Sequence, residues 1–199
     1  LTGTVNAYTI TVATAAVTAS ALNTVNAATT VNVTATAVTQ ITGTAAQLAT
    51  TYAADTGISG LGNETIVLTD TELAAATLTP TVNGYSTVAI NANSVTTLTG
   101  TNAEILTAYQ ADTDGTVILD GDVKLTVSDS ITFTEANVLD GKTSGVITAT
   151  ISTTAIADLD DLTNNTPNAT GNTYTITVAT AAVTAVALNI VNASTTVNV

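Results

Sequence analysis

Closely spaced carboxylates are the strongest chemical signal in this chain: Asp112 with Asp114, Asp120 with Asp122, and Asp158 with Asp160 and Asp161. Two carboxylates in different environments can divide acid and base work between them. Histidine and cysteine are both absent, so the usual general base and the best nucleophile are missing. The chain reads as a non-enzyme. The same acids suit a hard cation better. Asp112-Thr113-Asp114-Gly115 and Asp120-Gly121-Asp122 put oxygen donors close together on glycine-containing turns, the donor type calcium takes. Asp112, Asp114, Asp120 and Asp122 are therefore candidate calcium ligands, with calcium the one cofactor in view. Two features stand against a standard site. No Glu completes the EF-hand spacing, and the GGxGxD nonapeptide of calcium-binding β-rolls is missing.

Asparagines form a second group. ALNTVNAATTV (21–31), EANVLDGKTSGV (135–146) and ALNIVNASTTV (187–197) align, so Asn23, Asn137 and Asn189 correspond, as do Asn26, Asp140 and Asn192. Such positions could touch a glycan. The structural reading is stronger: a side-chain amide at a fixed place can satisfy backbone groups left open where the chain turns. Sequons at Asn32, Asn63, Asn164, Asn168 and Asn192 are what a chain this rich in Thr and Asn produces by chance. T-x-T runs at 9–11, 34–36, 148–150 and 175–177 would match an ice lattice only if the same pair recurred on consecutive coils. The intervening strands read TIVLT, VAINA and VKLTV, which breaks the array.

Composition narrows the partners. Fifteen acidic residues against Lys124 and Lys142 give a net charge of −13. No basic footprint exists to neutralise phosphates, so nucleic acid is disfavoured, as are anionic membrane surfaces. No run of 18 apolar residues occurs, so no membrane span and no membrane insertion are expected. No basic-then-apolar leader opens the segment. Aromatic residues make up only 3% of the chain, while Thr alone is roughly a quarter of it. A core of Ala, Val and Leu between closely stacked layers fits that composition.

Repeats supply the layers. Residues 6–33, NAYTITVATAAVTASALNTVNAATTVNV, return at 172–199 with four substitutions, an offset of 166. The long repeat therefore restarts at about 167–172. Within it, ITGTAAQLATTYAADTG (41–57) matches LTGTNAEILTAYQADTDG (98–115) at an offset of 57. Alternating β-branched runs start near residues 8, 31, 65, 89, 123, 147 and 174 and read as half-buried strands. Their spacing alternates between about 24 and about 34, shortening to about 26 near the end. Between them, Ala45, Leu48, Ala49 and Tyr52 share a helical face, and Ile105, Leu106 and Tyr109 another. Thr44 and Thr101 suit N-caps, and Thr134-Glu135 and Asp70-Thr71-Glu72 read as further helix starts. Pro80 and Pro167 fall in polar stretches suited to loops. Ser20→Val186 and Thr24→Ile190, the apolar gains between copies, imply partly buried positions.

Helices of two or three turns do not persist alone, so each strand-plus-helix unit must bury its face on the next. The expected fold class is α/β: a β/α solenoid of short parallel strands with short helices or turns, about seven coils in one segment over 1–199. The alternative is an all-β sandwich or β-solenoid, with hairpins at Asn83-Gly84, Asp114-Gly115 or Asp140-Gly141.

The combination of L/I-T-G-T-x-A (41–46, 98–103), S-D-S with A-N-V-L-D (128–140) and A-L-N-x-V-N-A-x-T-T resembles the tandem repeats of giant Thr/Ala/Asp-rich cell-surface proteins of cyanobacteria and other aquatic bacteria. That resemblance implies an extracellular, cell-surface role in adhesion, matrix, S-layer or filament, and carries no catalytic residues. The expected function is a structural repeat of a fibre, stalk or surface layer, with copies of itself as partner. An adhesin or a calcium- or glycan-binding module is the alternative, with surface glycans as the partner.

Overall fold

The computed structural model describes residues 6–53, 57–154, 171–178, 184–193 and 195–197, together with Leu159 and Leu162. Along the chain come β1 (Ala16–Thr18), α1 (Ala19–Ala27), β2 (Val33–Thr34), β3 (Gln40–Gly43) and α2 (Ala45–Thr51). Then follow β4 (Ile58–Ser59), β5 (Thr65–Leu68), β6 (Glu72–Ala74), β7 (Ile90–Asn91), β8 (Thr97–Gly100) and α3 (Asn102–Thr113). The remainder is β9 (Val117–Ile118), β10 (Lys124–Ile131), α4 (Phe133–Asp140), β11 (Ile147–Thr154), β12 (Thr173–Val178) and α5 (Ala185–Ala193). The protein is mixed α/β, with parallel sheets and short helices. Strand pairing among the described residues is parallel throughout, so the antiparallel hairpins of the sandwich alternative do not form there. Asp140-Gly141 instead closes α4, with Gly141 as its C-cap.

The chain divides into two compact units, each gathered from separate stretches. The first holds residues 1–71, 77–95 and 111–119 and carries the five-stranded sheet β1-β3-β5-β7-β9. A ladder of branched side chains runs across it. Val17 pairs with Ile41, Ile41 with Ile66, and, beyond the Val67–Asn91 pairing, Ile90 with Val117. All but Val17 are fully buried. The second unit holds residues 72–76, 96–110 and 120–199 and carries the sheet β12-β11-β10-β8-β6. Its ladder is Leu73, Leu98, Leu125 and Ile147, followed by a second file of Ile131, Ile151 and Ile176. Each such side chain is worth about 1.5–3 kcal/mol when buried. In-register copies let a chain poor in aromatics make a core from like side chains stacked on like.

Paired strands recur at nearly even intervals: Ala16 on Gln40, Gln40 on Thr65, Glu72 on Thr97, Lys124 on Thr97. The alternating spacing read from the sequence arises because the runs that mark strand starts omit β1, β3, β8 and β9. Strands near 31, 65, 89, 123, 147 and 174 are present, the first as β2, paired with β4. Near residue 8 the described chain makes isolated pairings only, Asn6 with Thr29 and Thr11 with Thr34. The expected helix start at Asp70-Thr71-Glu72 is not one, since Glu72–Ala74 pairs with β8 as a strand. In the second unit, Thr99, Thr126, Thr148 and Thr173 align in one file, and Ser130, Thr150 and Thr175 in another. Single files thus align, but the T-x-T pair does not recur regularly: Thr97 faces Lys124, Thr99 faces Ala74, and the β10–β11 register shifts between Thr126 and Ser130.

Helix starts repeat a single device. Thr44 accepts the Gln47 amide and Gln47 returns a bond to the Thr44 amide, a capping box. Thr101 with Glu104 does the same, and so does Thr132 with Glu135. The α4 cap is therefore Thr132 rather than Thr134. Asp70 accepts the Ala45 amide at 2.8 Å, and Asp129 accepts the amide of Asn102, 57 residues after Ala45, at 2.8 Å.

A second device ties each turn to the strand before it. The Thr29 hydroxyl donates to the Tyr8 carbonyl (2.7 Å) while accepting the Val31 amide (3.1 Å). Ser86 bonds the Glu64 carbonyl and the Val88 amide in the same way, at 2.7 and 3.1 Å. Thr143 does so with Val123 and Gly145, at 2.6 and 2.9 Å, and Thr195 with Tyr174 and Val197, at 2.8 and 3.2 Å. The following residue's amide bonds a further carbonyl each time: Thr30 to Asn6, Thr87 to Gly62, Ser144 to Gly121, Thr196 to Asn172. Three of these clasps sit at one position of the aligned ALNxVNAxTTV module. The fourth, Ser86, shows that LTPTVNGYSTV (78–88) is a further copy, with Asn83 in the place of Asn26. Pro80 stands there where Asn23 stands in the first copy. Its ring excludes a regular helix, and Thr77–Thr81 is broken by an extended Thr79. Pro167 lies outside the described residues.

Candidate functional site

Each predicted calcium ligand is best described within its own unit. In the first, the Asp112 carboxylate accepts the Leu119 amide at 2.9 Å and closes the turn after α3, while Asp114 is exposed. In the second, Asp120 accepts the Gly121 amide at 2.7 Å, and Asp120 and Asp122 are exposed. Among the described residues, no group of three or more His, Cys, Asp or Glu side chains is placed to hold a metal ion. Asp158, Asp160 and Asp161 lie outside the described residues, as do the sequons at Asn164 and Asn168.

Most other acids are occupied by the backbone. Glu135 takes the Thr132 amide (2.8 Å) and hydroxyl (2.9 Å), which hold its carboxyl below the usual range, with the Asn102 amide adding to the effect. A group shifted down contributes stability above its unfolded pKa, near 4.3, and loses it as the pH falls. Asn102, 7% exposed, donates to Asp129 and Glu135. Its carbonyl oxygen is buried without a hydrogen bond among the described residues.

Glu64 differs in depth, a fully buried carboxylate. Burying a charge demands full satisfaction, and three donors supply it: the Gly62 and Asn63 amides at 2.8 and 3.0 Å, and the Tyr52 hydroxyl. Burial, then the bond to Glu64 and its negative charge, push the Tyr52 phenol well above its ordinary value. The Tyr52 ring stacks on Tyr85, centroids 4.7 Å apart and planes within 2°. Tyr52 is thus held at both hydroxyl and face.

Beside Tyr52 the first unit has a cleft of about 700 Å³. Its walls are the end of α1 with the turn after it, the end of α2, and residues 57–61. Asn26 and Asn32 turn their carbonyl oxygens towards Gly57, 3.1 and 3.6 Å from where a Cβ would stand. Gly57 has φ +70°, a conformation that favours glycine. Neither amide has a hydrogen-bond partner among the described residues.

The asparagine alignment separates in the structure. Asn23 is structural: its NH2 donates to the Gln47 carbonyl (3.0 Å) and its oxygen accepts the Thr51 hydroxyl (3.0 Å), linking α1 to α2. Asp140 accepts from Asn172, a buried amide that also bonds the Ile147 backbone and the Tyr174 hydroxyl. Asn189 is exposed. Asn26 alone of these lines the cleft. Asn32 and Tyr52 were legible only as a sequon and a helix-face aromatic, and nothing in their local sequence marks them as neighbours. The position read as partly buried from Ser20/Val186 is exposed in both copies, Val186 at 70%. Thr24 is exposed too. Comparison with protein-family models, with curated proteins and with solved structures found no match.

Proposed function

We propose that the chain is a β/α solenoid segment of about seven coils, belonging to a large extracellular bacterial protein that forms a fibre, stalk or surface layer. The observation that carries this reading is the in-register ladder. Identical or near-identical side chains stack strand upon strand, Leu73, Leu98 and Leu125 in one file and Ile41, Ile66 and Ile90 in another. A fold made this way gains stability by nearest-neighbour stacking and extends by adding copies. The hydroxyl clasps serve the same end, because each closes a turn onto the strand before it.

The two copies of one helix support the reading from another side. Leu22 in α1 is 2% exposed, where α1 packs on α2. Leu188, its counterpart in α5, is 37% exposed. The same residue in the same helix is covered in one setting and open in the other, so a further copy stacked on α5 would bury it. Copies of the chain are the partner on this reading, end to end or side by side. The function is mechanical, with no catalytic step, and calcium at Asp112, Asp114, Asp120 and Asp122 is an accessory. Small-angle scattering of chains carrying one, two and three 166-residue repeats tests it, with and without a chelator. The maximum dimension should grow linearly with repeat number. A dimension that grows only as the cube root of mass would refute the solenoid.

A further inference from the structure

The cleft beside Tyr52 has the chemistry of a ligand site rather than of a packing fault. Its described lining residues carry no charged side chain. Two amides with no partner among the described residues, Asn26 and Asn32, face the same open space over Gly57. Each offers one acceptor and two donors, a set that matches vicinal hydroxyl groups. Tyr52 forms a fixed wall, clamped by Glu64 and Tyr85, while Ile58 and Leu61 supply apolar surface. A side chain at Gly57 would crowd the Asn26 oxygen, so the floor stays open only with glycine there. At about 700 Å³ the cleft falls in the range of small-molecule sites. The net charge of −13 on the chain disfavours an anionic ligand, and the described lining residues offer neutral hydrogen-bonding groups.

We propose that this cleft binds a neutral oligosaccharide through Asn26 and Asn32, one site per 166-residue repeat. Both asparagines recur at that offset, as Asn192 and Asn198. An open, polar cleft of this kind binds weakly by itself, in the range of about 1–10 mM. Repetition along one molecule converts weak sites into strong attachment to a glycan surface, because later binding events become intramolecular. The site is carried by the first unit alone and stands whether or not the repeats stack into a solenoid.

The test is a nitrogen–proton NMR titration of the whole chain, produced without glycosylation. The probes are maltotriose, cellotriose, laminaritriose and triacetylchitotriose, with trigalacturonic acid as the anionic control. At least one neutral trisaccharide should give saturable shifts at the Asn26 and Asn32 side-chain amides and at Gly57. The double variant N26A/N32A should weaken that binding at least about tenfold, about 1.4 kcal/mol, with an unchanged melting temperature, since neither amide holds the fold. The proposal is overturned if no neutral probe gives saturable shifts at these residues. It is equally overturned if the double variant binds as well as the parent, or if the uronate binds as tightly as the best neutral sugar.

Discussion

Replacing Thr143 with Val isolates one clasp at constant side-chain volume. Thr143 is 5% exposed, and its hydroxyl joins the Val123 carbonyl to the Gly145 amide. Valine fills the same space, so no cavity term enters. It leaves a buried carbonyl without this donor and a buried amide without its acceptor, at about 1–3 kcal/mol for each group. The expected loss is about 2–4 kcal/mol, or roughly 5–15 °C in melting temperature for a chain of this size. Thr143→Ser keeps the hydroxyl and loses one methyl, at about 1 kcal/mol. Ser144→Ala removes an exposed bond to the Gly121 carbonyl and should cost under about 0.5 kcal/mol. Urea unfolding followed by circular dichroism, checked by calorimetry, measures all three. If T143V loses no more than T143S, the hydroxyl clasp is not what secures the turn. Gly145 offers no escape, because a Cβ there would stand 2.4 Å from the Val123 carbonyl oxygen.

Two further outcomes are expected. Burial raises the phenols of Tyr52 and Tyr174 above their ordinary value, so their contribution is complete below about pH 10 and is lost as the pH rises beyond it. Y52F and Y174F should each flatten the alkaline fall in stability and reduce the 295 nm absorbance gained on alkaline unfolding; unchanged profiles would contradict that burial. Asp112 can act as a backbone cap or as a calcium ligand, and the variants separate the roles. As a cap for Leu119, D112N keeps an acceptor and retains stability while D112A loses about 1 kcal/mol, equally with calcium or chelator. A loss in D112N seen only with calcium present would restore the metal reading.

Why the chain folds in short parallel strands and short helices was legible in period and repeat. Alternation at TIVL and KLTV, the helical face of Leu48 and Ile105, and Gly-Thr before α2 and α3 all rest on contacts within a few residues. The ALNxVNAxTTV alignment even contained the clasps, since Thr29, Thr143 and Thr195 share one module position. Ser86 was hidden because Pro80 disguises its copy. Strands of two or three residues, such as Ala16–Thr18 and Val117–Ile118, carry too little pattern to be read and form because a neighbouring strand offers a ladder of open hydrogen bonds. Glu72–Ala74 was drawn into a strand for that reason, against its helix-start composition.

By itself the sequence determined the class of the protein: acidic, without His or Cys, α/β, assembled from recurring units. Composition and periodicity are local properties, so they survive without coordinates. Only the tertiary structure decided which of the many Thr and Asn side chains are occupied. It bonds Asn23 to a neighbouring helix, leaves Asn26 and Asn32 over Gly57 with no partner among the described residues, and sets Asp112 on a backbone amide. Residue type states what a side chain is able to bond. Which partner it meets depends on segments 20 to 30 residues away, as with Thr51 on Asn23 and Thr143 on Val123, and register sets that pairing.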